Sequence, residues 1–492
     1  MHSRSLARVA IPVPSLTMLP HPQDHNSKPS KKAAPTPHHA SEHKAKSHGS
    51  RGSPSGDPPP SKRRSPPHEQ AAVEEWTGGG VEADDAGSDC DDHGDSCPFN
   101  PNPHRTTIKH PEFVYGGTWG RRESAAKLTR THVPSPACHA TTLVNMPGGD
   151  TLAAWFGGMY ESAEDVAIYV ARRSNAGVWS EPIKAAKVHR NVPYNGKHKS
   201  REPSHQGGEP HWNPVLFCEG SEDAPDVCTG EVVLFFKVGW KIPKWQTFVT
   251  RSRDGGLTWD EAKELVPGDA GGRGPVKNKP ILLSNGNWLA PASLEGPAGW
   301  EGRQRPWRGF TDTSEDKGYT WTSSNLVVPP STHEGIIQPT LWESEPGRVH
   351  MMLRSMRGRN AKVWRADSED YGKTWGKPYK TSLPNNNSGL DVARLPHSGT
   401  LVLLYNPTTQ DRYPLRVGVS KDNGKTWPIH IDLEKESGAV SNGHEFSYPA
   451  VIPWPASEDE EGVSITYTWN RKRPAFFSIS LKDIEARARA HL

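Results

Sequence analysis

Ser252–Trp259 reads SRDGGLTW, and the same frame of Ser, Asp, Gly, Thr and Trp returns as SEDKGYTW (Ser314–Trp321), SEDYGKTW (Ser368–Trp375) and SKDNGKTW (Ser420–Trp427). A shortened form that lacks the Asp, SNAGVW, stands at Ser174–Trp179. The frame suits a tight hairpin. Its aspartates, Asp254, Asp316, Asp370 and Asp422, can accept turn N–H bonds, the Gly can take positive φ, and the Trp can plug the base of the turn. Successive copies lie 52 to 62 residues apart, a period that belongs to propeller blades or another repeat array.

Between the turns run short apolar segments bounded by Gly, Pro and Asn, which is how strands read, and no segment before about Leu481 has a helical period. A second repeat appears when these segments are aligned. CHATTLV (Cys138–Val144), WNPVLF (Trp212–Phe217), NKPILL (Asn278–Leu283), IQPTLW (Ile337–Trp342), NSGLDVARL (Asn387–Leu395) and SYPAVI (Ser447–Ile452) each open an apolar strand with a polar residue, often followed by Pro. Proline is tolerated at the first position of a strand, where no ladder N–H is lost. Six openings predict six blades, so the fold expected over residues 106–492 is an all-β, six-bladed β-propeller.

The topology also predicts which face carries the chemistry. In an antiparallel meander the second strand ends beside the start of the first, while the third ends on the opposite face. The aspartate turns therefore fall on one face and the polar openings on the other. His139, Asn213, Asn278, Lys279, Gln338, Asn387 and Tyr448 are expected to converge near the axis. Lys237, Glu295, Arg354 and Asn406 should join them from the ends of second strands. With Trp155, Trp212, Trp240, Trp245 and Trp469 as expected walls, such a centre suits a sugar, and its cations favour an anionic glycan.

The first hundred residues are of another kind. Residues 1–70 carry net charge +7 and residues 71–100 carry −9, with few apolar side chains. Residues 1–105 are therefore expected to be a disordered tail, basic and then acidic. The rest of the chain is near +5, too little to argue for nucleic acid. No apolar run approaches the ~18 residues of a membrane span. Ile11–Leu19 makes a poor signal peptide because Pro12 and Pro14 break it, although targeting by the tail is not excluded by its composition. Cys218 and Cys228 flank a polar loop between two apolar runs, a placement that fits either a cross-hairpin disulfide or two reduced thiols. The His- and Lys-rich insertion at 188–208 reads as a rim loop. No set of His, Cys, Asp or Glu has metal-ligand spacing, and the reading calls for no cofactor.

Taken together, the four SxDxGxTW turns and the frames HATTLVNMPGGDTLAAWFGG, HWNPVLF, GPVKNKPILL and NNNSGLDVARL resemble the BNR, or Asp-box, repeats of the sialidase-like superfamily. The resemblance covers about 112–479. It implies three arginines for a substrate carboxylate, a Tyr nucleophile paired with a Glu, and an Asp acid/base on a first-blade loop. Tyr448 matches the nucleophile strand, Arg354 one arginine, and Glu164 or Asp165 the acid/base loop. Where that family opens its first strand with Arg, this chain has His139, and a switchable imidazole does not replace a permanent guanidinium fork. Three functions remain in view: an exo-glycoside hydrolase using Tyr448, Glu295 and Asp165; a uronate-glycan lyase using His139 or Tyr448 as base; and a glycan-binding propeller without turnover.

Overall fold

The structure is a computed structural model that describes residues 111–115, 135–189, 208–220, 227–228, 230–269, 272–296, 307–331, 333–358, 360–434, 444–455 and 460–490. The expected tail at 1–105 and most of the insertion at 188–208 lie outside them. The described strands form six four-stranded antiparallel sheets, which is the six-bladed propeller expected from the openings. The inner strands are Ala137–Asn145, His211–Phe217, Ile281–Leu282, Ile336–Glu345, Asp391–Arg394 and Phe446–Pro453 in blades 1 to 6. Runs such as VVLFFKV (Val232–Val238) are buried along their whole length because both sheet faces pack against neighbouring blades.

Blade 6 supplies only three strands from the C-terminal end: Phe446–Pro453, Gly462–Trp469 and Arg473–Ser480. Its fourth is Glu112–Phe113, which pairs with Ala475 and Phe476. Val114 and Tyr115 are buried just beyond it. Both guanidinium arms of Arg173 in blade 1 grip the Glu112 carboxylate, at 2.8 and 2.9 Å. The ring is thus closed by the two ends of the propeller sequence. The helix Leu481–Arg489 follows, capped by Ser480, whose hydroxyl accepts the Asp483 N–H.

The repeated turns are built as their residues suggest. In Ser252–Trp259 one Asp254 carboxylate oxygen accepts the Leu257 and Thr258 N–H groups, and the other accepts the Thr258 hydroxyl. The Gly256 N–H donates to Ser252 Oγ. Two consecutive residues, not the glycine alone, are left-handed: Gly255 with Gly256, Lys317 with Gly318, Tyr371 with Gly372, and Asn423 with Gly424. In the shortened blade-1 turn, Asp150 from the preceding hairpin replaces the missing anchor and accepts the Asn175 N–H at 2.8 Å.

Side chains from adjacent blades satisfy inner-strand N–H groups that have no ladder partner. Thr142 Oγ1 accepts the Leu216 N–H, Thr340 Oγ1 accepts the Val392 N–H, and Asp391 accepts the Val451 N–H. These contacts lock blade to blade around the axis. Cys218 and Cys228 are joined as a disulfide across the first hairpin of blade 2.

Candidate functional site

One backbone feature builds the site in all six blades. Ala140, Asn213, Lys277, Gln338, Asn387 and Tyr448 are left-handed, with φ between 43° and 67°. A left-handed non-glycine residue costs about 1–2 kcal/mol, and six of them sit near the starts of six inner strands. In blades 1, 2, 4 and 6 the pairing register shifts across this residue, as in a β-bulge. In blades 3 and 5 it lies just before the strand. The bulge turns a side chain from the sheet toward the axis. Aligned on it, the first-blade member is Ala140, so His139 stands one position earlier than Asn213, Gln338 and Tyr448. That corrects the alignment of openings expected from the sequence.

Tyr448 is the centre of the cluster. Its hydroxyl accepts from Arg354 Nη1 at 2.5 Å and from Gln338 Nε2 at 3.4 Å. Arg354 is buried. It also donates from Nη1 to Gln338 Oε1 at 2.8 Å, and from Nε and Nη2 to Asn387 Oδ1 at 3.0 and 2.8 Å. Trp307 flanks this guanidinium, with Cζ 5.4 Å from the ring centroid. The His139 ring lies 4.1 Å from the Tyr448 ring, and its Nδ1 is 3.0 Å from Thr468 Oγ1. Burial, reinforced by Arg471, Arg412, Arg354 and Lys277, holds the His139 pKa well below its ordinary value. The imidazole is therefore neutral at physiological pH.

Two further arginines close the ring. Arg412 lies over Tyr448, with Cζ 5.4 Å from the ring centroid, and donates to Glu445 Oε1 at 2.8 Å. Arg471 donates from Nε to the same oxygen at 2.8 Å and from Nη1 to Glu161. Ser447 Oγ also donates to it, at 2.5 Å. Burial raises Glu445, but Arg412, Arg471 and Ser447 outweigh it, and the carboxyl ends below its usual range.

The structure thus brings together Tyr448, His139, Arg354, Gln338 and Asn387. Asn213 holds the equivalent left-handed position in blade 2 and is buried. Asn278 is a clamp, its Nδ2 donating to the carbonyls of Gln338 and Pro339. Lys237 donates to Thr247 Oγ1 and the Arg273 carbonyl, and burial lowers it to about 8. Burial raises Glu295, while Arg354 and Lys237 oppose the rise. Asn406 donates to the carbonyls of Pro414 and Phe446 and so joins blade 5 to blade 6.

Two expected members stand elsewhere. Lys279 pairs with Asp391 at 3.0 Å and lines a 430 Å³ cavity among the distal parts of the six inner strands. Asp165 is exposed on the loop after the second strand of blade 1, where its carboxylate accepts the Met159 N–H at 2.9 Å. The aromatic wall is also different. Trp155 is 0% exposed and packs against Tyr115 and Tyr169, while Trp212 and Trp245 pack on each other at 4.9 Å. Trp307, which was not expected, stands beside Arg354 together with Tyr448.

Arg412 falls at no matching motif position in the sequence, Arg471 was noted only as a neighbour of Trp469, and Glu161, Glu445 and Lys277 were not singled out from sequence. Arg412, Arg471 and Glu161 lie in loops between second and third strands, and Glu445 immediately precedes an inner strand. The strand order sends all of those positions to the same face. Among the described residues, no group of three or more His, Cys, Asp or Glu is placed to hold a metal ion.

Comparison with known proteins agrees with this architecture. The BNR repeat-like domain matches residues 149–458. No curated protein is significantly similar in sequence. Among solved structures, Hadza microbial sialidase Hz136 is similar with a TM-score of 0.55 and 18% identity, over 71% of this chain and 66% of that one. The NanB sialidase from Streptococcus pneumoniae gives 0.52 and 13%, over 71% and 69%. A protein of unknown function from Dyadobacter fermentans gives 0.51 and 16%, over 70% and 94%. Likeness at these identities is one of fold. By its repeat and its propeller, this chain belongs to the BNR repeat-like family, with a sialidase-like fold.

Proposed function

We propose that this chain is a glycoside hydrolase that removes an acidic sugar from the end of a glycan, with Tyr448 as nucleophile. The observation that carries the reading is the tyrosine hydroxyl held on Arg354 Nη1 at 2.5 Å, with Arg412 over the same ring. A neutral phenol approaches an anionic sugar without the repulsion a carboxylate nucleophile would meet. The guanidinium stabilises the phenolate as its proton leaves for Glu295. Tyr448 Oη bonds to the anomeric carbon as the glycosidic C–O bond breaks, and Asp165 on the rim loop protonates the leaving oxygen. Water, deprotonated by Asp165, then bonds to the anomeric carbon as the bond to Tyr448 Oη breaks, and the phenolate recovers its proton from Glu295. Arg354, Arg412 and Arg471 provide the positive field that selects an anion. Tyr448→Phe should abolish turnover of an acidic glycan and leave its binding intact; full activity in that variant would refute the reading.

One observation favours a second reaction on the same face. The neutral His139 ring in contact with Tyr448 has the form of a proton-abstracting base, as elimination across a uronate requires. Its depressed pKa makes it a weak one, which places hydrolysis first. Products separate the two, since elimination leaves an unsaturated uronate that absorbs in the near ultraviolet and hydrolysis does not.

A further inference from the structure

Lys277 takes no part in the chemistry above, yet it is among the largest fully buried side chains of the protein. It is also the left-handed residue of blade 3. Its Nζ donates to the Leu390 carbonyl in blade 5 at 3.0 Å, to the Pro449 carbonyl in blade 6, and to Asn278 Oδ1 at 2.8 Å. Pro449 directly follows Tyr448. Asn278 in turn donates to the carbonyls of Gln338 and Pro339 in blade 4, at 3.2 and 2.9 Å. Two adjacent residues of blade 3 therefore hold the backbone at Gln338, one residue after Tyr448 and three residues after Asn387, the three side chains that hydrogen-bond to Arg354. Gly389 supplies independent support. Its backbone is not left-handed, so its lack of a side chain is not a matter of φ. A Cβ there would stand 2.9 Å from Lys277 Cε, and the lysine stem occupies that space.

We propose that Lys277 is a positioning residue, its ammonium clasping the inner-strand openings of blades 5 and 6 so that the Tyr448 hydroxyl is held on Arg354. The clasp explains why a cation is buried at the axis with no carboxylate hydrogen-bonded to it. Three neutral oxygens from three segments meet the three N–H bonds of one ammonium, a geometry that fixes all three segments at once. The charges facing it are Asp391 from blade 5, Lys279 from its own segment and Arg354 from blade 4, and its own charge reaches His139 in blade 1. Burial lowers Lys277 to about 7, against the pull of Asp391.

The inference rests on Tyr448 as the nucleophile, so its test has one arm that needs no turnover. The ring protons of His139, 4.1 Å from the Tyr448 ring, report that ring's position by magnetic resonance in the full chain carrying labelled histidine, with His139→Gln to assign them. In Lys277→Met and in Gly389→Ala, the His139 resonance should move while the other histidines stay. In the wild type it should shift with a midpoint near pH 7, and that titration should vanish in Lys277→Met. Against an acidic glycan, kcat should fall about 10²-fold, as for a nucleophile displaced by about 1 Å, with KM little changed. Gly389→Ala keeps every hydrogen-bonding group and decides the matter if Lys277→Met does not fold. An unmoved His139 resonance in a folded variant overturns the clasp whether or not any glycan is turned over. Failure of Tyr448→Phe to lose activity overturns the nucleophile instead.

Discussion

Replacing both Cys218 and Cys228 by Ser should weaken the protein by an amount that follows from chain length. The cysteines are 10 residues apart. Closing a loop of that size removes about 9 cal/mol/K from the unfolded chain, which corresponds to about 2.7 kcal/mol at 25 °C. The native state loses little to offset this, because Cys228 remains tied to blade 1 through its N–H on the Asn145 carbonyl at 3.0 Å. The measurement is urea unfolding of the wild type, the reduced wild type and the double variant, extrapolated linearly to water. The two thiol-free or reduced forms should coincide, both below the oxidised protein by about 2.7 kcal/mol. A difference within about 0.5 kcal/mol, the range of an ordinary surface substitution, would refute the loop-constraint argument.

Two further outcomes are expected. A chain beginning at Gly116 lacks Glu112–Phe113 and the buried Val114 and Tyr115; against one beginning at Pro111 it should lose about 3–6 kcal/mol, read as a lower melting temperature. Burial lifts Glu434 to about 7 from 4.5, so between those values the unfolded chain has released a proton that the folded chain still holds. Stability should therefore fall as pH rises from 4.5 through 7. Glu434→Gln should flatten that slope in melting curves taken across the range.

The blade count and the orientation of the faces were legible because each is written several times over. Four complete turns and six strand openings reinforce one another, and strand alternation fixes the faces without any knowledge of packing. The closing strand was not, since Glu112–Phe113 has too few residues to show a period. The left-handed position of the inner strand was legible where proline directly follows it, as at Gln338 and Tyr448. It was misread in blade 3, where Pro280 comes three places after Lys277 and drew attention to Asn278 and Lys279. The blade-1 opening CHATTLV has no proline, and there the expected axial residue was His139 while the bulge fell on Ala140. Arg412 and Arg471 belong to loops without a repeated frame; only the strand order brings them to Tyr448.

The closure of blade 6 also sets a timetable. Glu112 pairs with Phe476, so the strand that completes the ring is among the first parts of the propeller to be synthesised and waits for the last. At ordinary rates of translation the 363 residues between Glu112 and Phe476 take roughly 20–70 s to appear. Throughout that time blades 1 to 5 can form by local pairing while the strand that will close the ring has no partner. The site inherits the delay. Tyr448, Glu445 and Arg471 arrive with the final blade, and the neutral and basic groups contributed by the earlier blades meet these partners only when it does.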